Sequence, residues 1–161
     1  MMDFISRLFS RRAPVLADAG LRDAKAIAAL HAAAFRRGWS DGEVEQLLIE
    51  PNVVADRVTL GRDLAGFIMT RFAADEAEIL SIAVDAAARG RGLSRKLLQR
   101  NLARLAALGV RTVFLEVGAD NGPALKLYDG MGFEQVGTRE RYYGGDVALD
   151  STALVLRREL G

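Results

Sequence analysis

Apolar residues recur at two different periods along this chain, and the changes of period mark its elements. After Pro14 a short extended piece, "VLADA", leads into "LRDAKAIAALHAAAF", where Leu21, Ala24, Ile27, Ala28, Leu30 and Ala34 share one helical face. Ser40 and Asp41 then offer an N-cap to "GEVEQLLIE", with Glu43 three residues past Ser40 as in a capping box, and Pro51 closes that second helix. Three strand-like runs follow, "VVADRVTL", "LAGFIMTRF" and "EAEILSIAV", with "GRD" at Gly61 to Asp63 as a hairpin turn, so this part predicts an antiparallel meander. Downstream come a helix from Gly92 to Leu108, the strand "TVFLEV", a helix from Pro123 to Gly130, and closing strands near Phe133 to Tyr143 and Ser151 to Arg157. The order is about βααβββαβαββ. Helices inserted between strands on both sides of a meander predict one α/β (α+β) domain with a mixed, mostly antiparallel sheet and flanking helices.

Composition narrows the functional classes. A chain of 161 residues, half of them apolar, can bury one core without staples. Its 22 basic and 21 acidic residues leave a net charge of +1, so direct nucleic-acid binding is not expected and any basic patch must be local. Cysteine is absent, which excludes a disulfide framework and a thiolate nucleophile and fits a reducing compartment; a cytoplasmic protein is expected. The single histidine, His31, reads as structural or surface and offers no ligand cluster, so no metal is expected. Residues 1–13 set Phe4, Ile5, Leu8 and Phe9 beside Arg7, Arg11 and Arg12 in an extension too short and interrupted for a membrane span. It is an appendage to a domain at 14–161, and membrane contact is its least favoured role.

The stretch "ARGRGLSRKLL" poses a sharper question. Leu93, Leu97, Leu98, Leu102, Leu105 and Leu108 mark the buried stripe of the third helix, while Lys96, Arg100 and Arg104 recur on another face and Gly109 suits its C-terminal cap. "DAAARGRG" therefore joins a strand end to a helix N-terminus, where unpaired amides and a partial positive charge can bind phosphate. A Walker loop counted from Gly90 and a dinucleotide fingerprint both fail at Arg95, where each needs a glycine. On these residues alone an anion site and a solvated connection both stand.

Chemistry-bearing residues are few. Glu116 is the one carboxylate in "TVFLEVG", and burying it unpaired would cost several kcal/mol, so it either points to solvent or stands half-buried by a cleft as a general base. Asn121 is a natural N-cap and Pro123 fits the first helical turn. Tyr128 shares a face with Leu125 and Met131, as a core tyrosine would. Its phenol, with a reference pKa near ~10, would also suit a thiolate leaving group whose reference value is near ~8.5. Trp39 is either a plug beneath a loop or a lining residue. Tyr142 and Tyr143 alternate in a strand, so at most one faces a cleft.

Taken together, "SIAVD", "RGRGLSRKLL", "FLEV", "DNGPALKLYDGMGF" and "RERYY" resemble, from Ile79 to Tyr143, the GCN5-related N-acetyltransferases and in particular their RimI-like, ribosomal-protein-alanine N-acetyltransferase branch. The acyl-CoA-binding pattern of that superfamily stands here as RxxGxS from Arg89 to Ser94, serine replacing the usual Gly or Ala. The resemblance implies a fold of that type. It also implies that the amides of Gly90, Arg91, Gly92, Leu93, Ser94 and Arg95 cradle the pyrophosphate of acetyl-CoA, and that the backbone of Ile82, Ala83 and Val84 pairs with its pantetheine arm. Asn121 corresponds to a residue contacting acetyl-CoA, Glu116 to the general base, Tyr128 to the general acid, and Trp39 in "AAAFRRGWS" to the branch's tryptophan between the first two helices.

The implied activity is direct acetyl transfer from acetyl-CoA to the N-terminal α-amine of a protein, with a ribosomal protein as partner. A lysine or small amine as acceptor, and a non-catalytic acyl-CoA sensor, are the alternatives. Departures fall on the acceptor side: Gly118 and Asp120 replace an arginine and a small hydroxyl residue, and Gly144 and Gly145 stand where a proline-containing loop is common.

Overall fold

The computed structural model describes residues 12–143 and 146–161, with side chains through 140 and from 152 onward. Most of the 1–13 extension, the Gly144–Gly145 turn and the side chains of Tyr142 and Tyr143 lie outside the described residues. Strands β1 (Pro14–Asp18), β2 (Val53–Leu60), β3 (Asp63–Ala73), β4 (Glu76–Val84), β5 (Thr112–Gly118), β6 (Glu134–Tyr143) and β7 (Asp146–Glu159) form a single sheet in the order β1-β2-β3-β4-β5-β7-β6. Helices α1 (Ala24–Ala34), α2 (Asp41–Ile49), α3 (Leu93–Ala107) and α4 (Gly122–Gly130) flank it. Element order and class are those expected. β7, expected at Ser151 to Arg157, runs from Asp146 to Glu159 because it pairs with the full length of β6. The first helix opens with a tight turn at Leu21–Asp23, where the Asp23 carboxylate accepts from the Gly20 N–H at 2.8 Å and from Arg57 at 2.6 Å.

Each face of the sheet has its own core. On one side, Leu93, Leu97, Leu98 and Leu105 of α3 pack onto Val58, Ile68 and Val113, joined by Tyr128 and Met131 from α4 and the loop after it. On the other, Ile27 of α1 and Val44 of α2 meet Phe67, Met69 and Ala83. Each fully buried Leu or Ile contributes on the order of 1.5–3 kcal/mol. Leu108, expected in the α3 stripe, is exposed, because the helix ends at Ala107 and Gly109 (φ +93) turns the chain away.

Arg100 and Arg104 reach Asp56 of β2, a carboxylate with no solvent exposure, which also accepts from Asn101 Nδ2 at 2.8 Å. Asn101 in turn accepts from the Thr70 hydroxyl at 2.9 Å, so a buried polar chain pins α3 across β2 and β3.

All neighbouring strands are antiparallel except β4 and β5. In β4, Ser81 pairs with Met69 and Ile79 with Thr70, leaving Leu80 as an extra residue. A bulge bends and twists its strand. Beyond it β4 diverges: its parallel ladder with β5 runs only through Glu76–Thr112, Ala77–Val113 and Glu78–Phe114. The sheet is split from there on.

Candidate active site

The split leaves a wedge whose β4 wall is unpaired backbone. Ile82, Ala83 and Val84 pair with Ile68, Phe67 and Gly66 of β3 on one side and have no β5 partner on the other. An extended ligand arm can add to such an edge as a strand would. At the bulge, the Ser81 hydroxyl is buried and finds no hydrogen-bond partner among the described residues. Register opposite Met69 puts that hydroxyl on the α1/α2 face of the sheet. A buried hydroxyl left unsatisfied costs about 1–3 kcal/mol, which a polar ligand atom would recover.

At the C-terminal end of β4 the chain makes a short turn at Ala86–Ala88, capped by Asp85, and then the Arg89–Gly92 connection. Gly90 and Gly92 both hold left-handed backbone, at φ +83 and +72, and a Cβ built on either would meet nothing within 4 Å. The glycines are there for conformation and for open approach rather than to relieve a clash. The first backbone bond of α3 runs from Lys96 N–H to Gly92 C=O at 3.1 Å, so the Leu93, Ser94 and Arg95 amides lie ahead of the helical ladder.

Those amides and the open glycines fit a bound pyrophosphate. Side chains of the same segment do other work: Leu93 is buried in the core, Arg95 donates to the Gly130 carbonyl at the end of α4 at 3.2 Å, and Arg91 donates to the Arg12 carbonyl ahead of β1 at 2.8 Å. Arg89 is exposed at the end of the preceding turn. Asn121 caps α4, its Oδ1 accepting from the Ala124 N–H at 3.2 Å.

Glu116 stands on the opposite rim. Register carries Val155 and Gly137 across from it onto one face, with Arg139 diagonal, and Arg139 Nη1 donates to Glu116 Oε1 at 3.0 Å. The Glu116 side chain is 27% exposed, so of the two expectations the half-buried one describes it, as a carboxylate already ion-paired. Arg139 was not anticipated from sequence. A register across β5, β7 and β6 brings the two together over 23 residues of separation, and no local pattern signals it.

Glu116 also lines a cavity of about 400 Å³ with Arg71, Glu78, Phe114 and Val155. A second cavity of about 380 Å³ shares Arg71 and is lined by Trp39, Glu43, Gln46, Leu47 and Leu80. Between them the Arg71 guanidinium bridges to Glu50 at the end of α2, at 3.2 Å. The groove over this face is thus rich in carboxylates. Trp39 packs against the second core and its side chain also lines this cavity.

Tyr128 is 5% exposed and edge-on to Phe133, ring centroids 5.6 Å apart. Burial pushes its phenol up to about 12, and among the described residues its hydroxyl makes no hydrogen bond. It therefore stays protonated across the physiological range. As an acid it is weaker than a free phenol: against a thiol near ~8.5 the proton moves uphill by roughly 3.5 pH units, or about 5 kcal/mol. In this state it is a hydrogen-bond donor first. Tyr142 and Tyr143 enter the β6–β7 hairpin opposite Val147 and Asp146.

The Acetyltransferase (GNAT) family profile matches residues 24–133, which spans both helices of the α1/α2 layer, the wedge, the glycine turn and α4. In sequence, the chain is 39% identical over 87 residues to a [ribosomal protein bS18]-alanine N-acetyltransferase of Salmonella typhimurium, covering 54% of this chain and 59% of that protein. It is 46% identical over 89 residues to an N-alpha-acetyltransferase RimI of Mycobacterium tuberculosis, covering 53% and 51%. The chain thus matches little more than half the length of these relatives. In structure it superposes on the ribosomal-protein-S18-alanine N-acetyltransferase of Escherichia coli with a TM-score of 0.82 and 27% identity, covering 92% of this chain and 94% of that one. An Arabidopsis thaliana NAA60 solved with acetyl-CoA shares the fold at a TM-score of 0.78 and 18% identity over 91% of this chain. Profile, sequence and architecture converge on one membership: this chain belongs to the Acetyltransferase (GNAT) family.

Proposed function

We propose that this protein is an acetyl-CoA-dependent N-acetyltransferase that acetylates the N-terminal α-amine of a protein by direct transfer, in the manner of the ribosomal-protein-alanine enzymes it resembles. The observation that carries the reading is the wedge itself. Unpaired β4 backbone and the open glycine turn lie on one side of the split, and a carboxylate-lined groove containing Glu116 covers the α1/α2 face.

Acetyl-CoA, when bound, supplies a thioester carbonyl and a thiolate leaving group. The amides from Gly90 to Arg95 hold its pyrophosphate, and the Ile82–Val84 edge holds its pantetheine arm. Glu116 accepts a proton from the incoming ammonium, freeing the nitrogen lone pair to attack the carbonyl carbon. Arg139 orients that carboxylate through their ion pair. As the C–S bond breaks, the Tyr128 hydroxyl hydrogen-bonds to the sulfur and passes it its proton, and the second proton released from the amine nitrogen restores the phenol. Holding amine and thioester together supplies most of the remaining acceleration. A cysteine-free protein with such a substrate works in the cytoplasm.

The test is an acceptor panel. Purified protein is incubated with acetyl-CoA and N-terminal peptides, internal-lysine peptides or small amines, and free thiol is followed. Release with free-N-terminus peptides, and mass addition at the α-amine, is the expected result. Release only with lysine or small amines refutes the acceptor class, and acetyl-CoA binding without release in any sample refutes enzymatic activity.

A further inference from the structure

His31 is the chain's only histidine and Trp39 its only tryptophan, and they lie face to face. His31 sits in the last turn of α1, 5% exposed. Its ring stacks on the Trp39 indole with centroids 4.0 Å apart and planes 8° from parallel, and on Phe35 at 4.5 Å. Its Nδ1 accepts the backbone N–H of Trp39 at 3.0 Å. The loop carrying Trp39 is pressed against α1 as well: a Cβ on Gly38 would come within 2.8 Å of the Ala32 backbone.

We infer that His31 is a positioning residue for the acceptor side, its neutral imidazole docking Trp39 at the rim of the groove and releasing it on protonation. The inference rests on reading the Trp39 cavity as part of the acceptor site. Its chemistry follows from the tautomer. An Nδ1 that accepts a hydrogen bond leaves the proton on Nε2, and an imidazolium has donors at both nitrogens and no acceptor. Protonation therefore sets an N–H against an N–H across a 3.0 Å contact. The ring stack tolerates the charge, but the backbone contact does not.

Surrounding groups set where this happens. Burial lowers the His31 pKa from 6.5, and Glu43 of α2 opposes that lowering. The α1 C-terminal carbonyls act in the same sense as Glu43. β3 presents uncharged Phe67 at 6.4 Å, and the loop's own charges, Arg36 and Arg37, are exposed. The loop is thus docked at neutral pH and freed as the pH falls below the ordinary histidine range.

Because Trp39 is the only tryptophan, its emission reads the docking directly. Wild-type protein should show one emission step below pH 6.5, absent in His31→Phe, which keeps an aromatic stack and has no proton to gain. In parallel, with acetyl-CoA saturating, the acceptor-peptide KM of the wild type should rise through that step. His31→Phe should carry an acceptor KM raised roughly 2- to 10-fold at pH 7.5 and flat with pH, the scale of one lost hydrogen bond. His31→Gln, whose side-chain oxygen can accept, should recover part of that KM without the pH step, and the acetyl-CoA KM should be unchanged in all three.

An emission step that persists in His31→Phe, or is missing from the wild type, overturns the inference whatever the activity. So does an acid-dependent change that falls on the acetyl-CoA KM. An emission step lost in His31→Phe, in a protein that turns over no amine, leaves the docking intact and sinks the proposed function and the acceptor role together.

Discussion

Removing the Asp56 carboxylate should loosen α3 more than any change on that helix's exposed face. Asp56 is completely buried on β2 and receives Arg100 Nε at 3.0 Å, Asn101 Nδ2 at 2.8 Å and Arg104 Nη1. Asp56→Ala removes one of the two acceptors of the fully buried Asn101 amide, which keeps the Val54 carbonyl at 3.3 Å, and takes a counter-charge from two guanidinium groups. Breaking a buried pair costs about 3–5 kcal/mol. Two features pull the figure to the low end. The arginine side chains are 35% and 33% exposed, so solvent screens them, and Arg100 keeps Asp18 at 2.7 Å.

A loss of about 3 kcal/mol follows, and at roughly 2–4 °C per kcal/mol for a domain of this size the melting temperature should fall by about 6–12 °C. Asp56→Asn keeps the shape and one acceptor oxygen and should lose about half as much. Urea melts with unchanged m-values would establish the free energies, and a double-mutant cycle with Arg104→Ala should give a coupling of about 1–3 kcal/mol. An Asp56→Ala protein within about 0.5 kcal/mol of wild type would refute the view that this cluster anchors the helix whose N-terminus forms the glycine turn.

Three further outcomes are expected. Glu116→Gln and Tyr128→Phe should each lower kcat, by about 10²–10⁴-fold for a lost proton-transfer group, with Tyr128→Phe at the gentle end because its phenol lies at about 12; calorimetry should find acetyl-CoA affinity retained, and near wild-type turnover in both would remove their assigned roles. Gly92→Ala should cost about 1–2 kcal/mol for its left-handed backbone while keeping acetyl-CoA affinity, since the added methyl meets open space. Gly92→Asp should weaken acetyl-CoA binding at least about 10-fold by like-charge repulsion, and equal affinities in the two folded variants would count against the phosphate cradle. Folding stability should also fall with acid on account of His31. Its folded pKa lies below 6.5, so the unfolded chain takes up the proton first; the contribution is full above that value and is lost as pH falls through the lowered one. Urea melts at pH 7.5 and 5.5 should show a smaller acid loss in His31→Phe than in the wild type, and equal losses would show that His31 is not buried neutral.

Local physics made much of the architecture legible in the chain. The leucine period of α3 held as far as Leu105, and the left-handed Gly61 joins β2 to β3 where "GRD" was read as a turn. Ser40 accepts from the Glu43 N–H at 3.1 Å and Asn121 caps α4, both as their spacing implied. The family was legible for a related reason: the glycine turn, Glu116, Asn121 and Tyr128 belong to short contiguous motifs. Where sequence reasoning faltered, it met long-range partners. Nothing near Arg100 and Arg104 in the chain signals their partner, because Asp56 lies 44 and 48 residues away.

What the sequence determined by itself was therefore the succession of elements, their caps, the glycine turn and the family, since each is encoded by neighbours within a few residues of one another. Tertiary structure alone decided the wedge, the Glu116–Arg139 pair and the His31–Trp39 stack. A bulge at Leu80 opens a gap only relative to β5, and Arg139 reaches Glu116 only through the register of β6 on β7 on β5. His31 acquired its place because a loop closed back on α1 and put the backbone N–H of Trp39 against its ring nitrogen. Such contacts depend on how strands and loops are set against one another in space, and a one-dimensional pattern carries no record of that register.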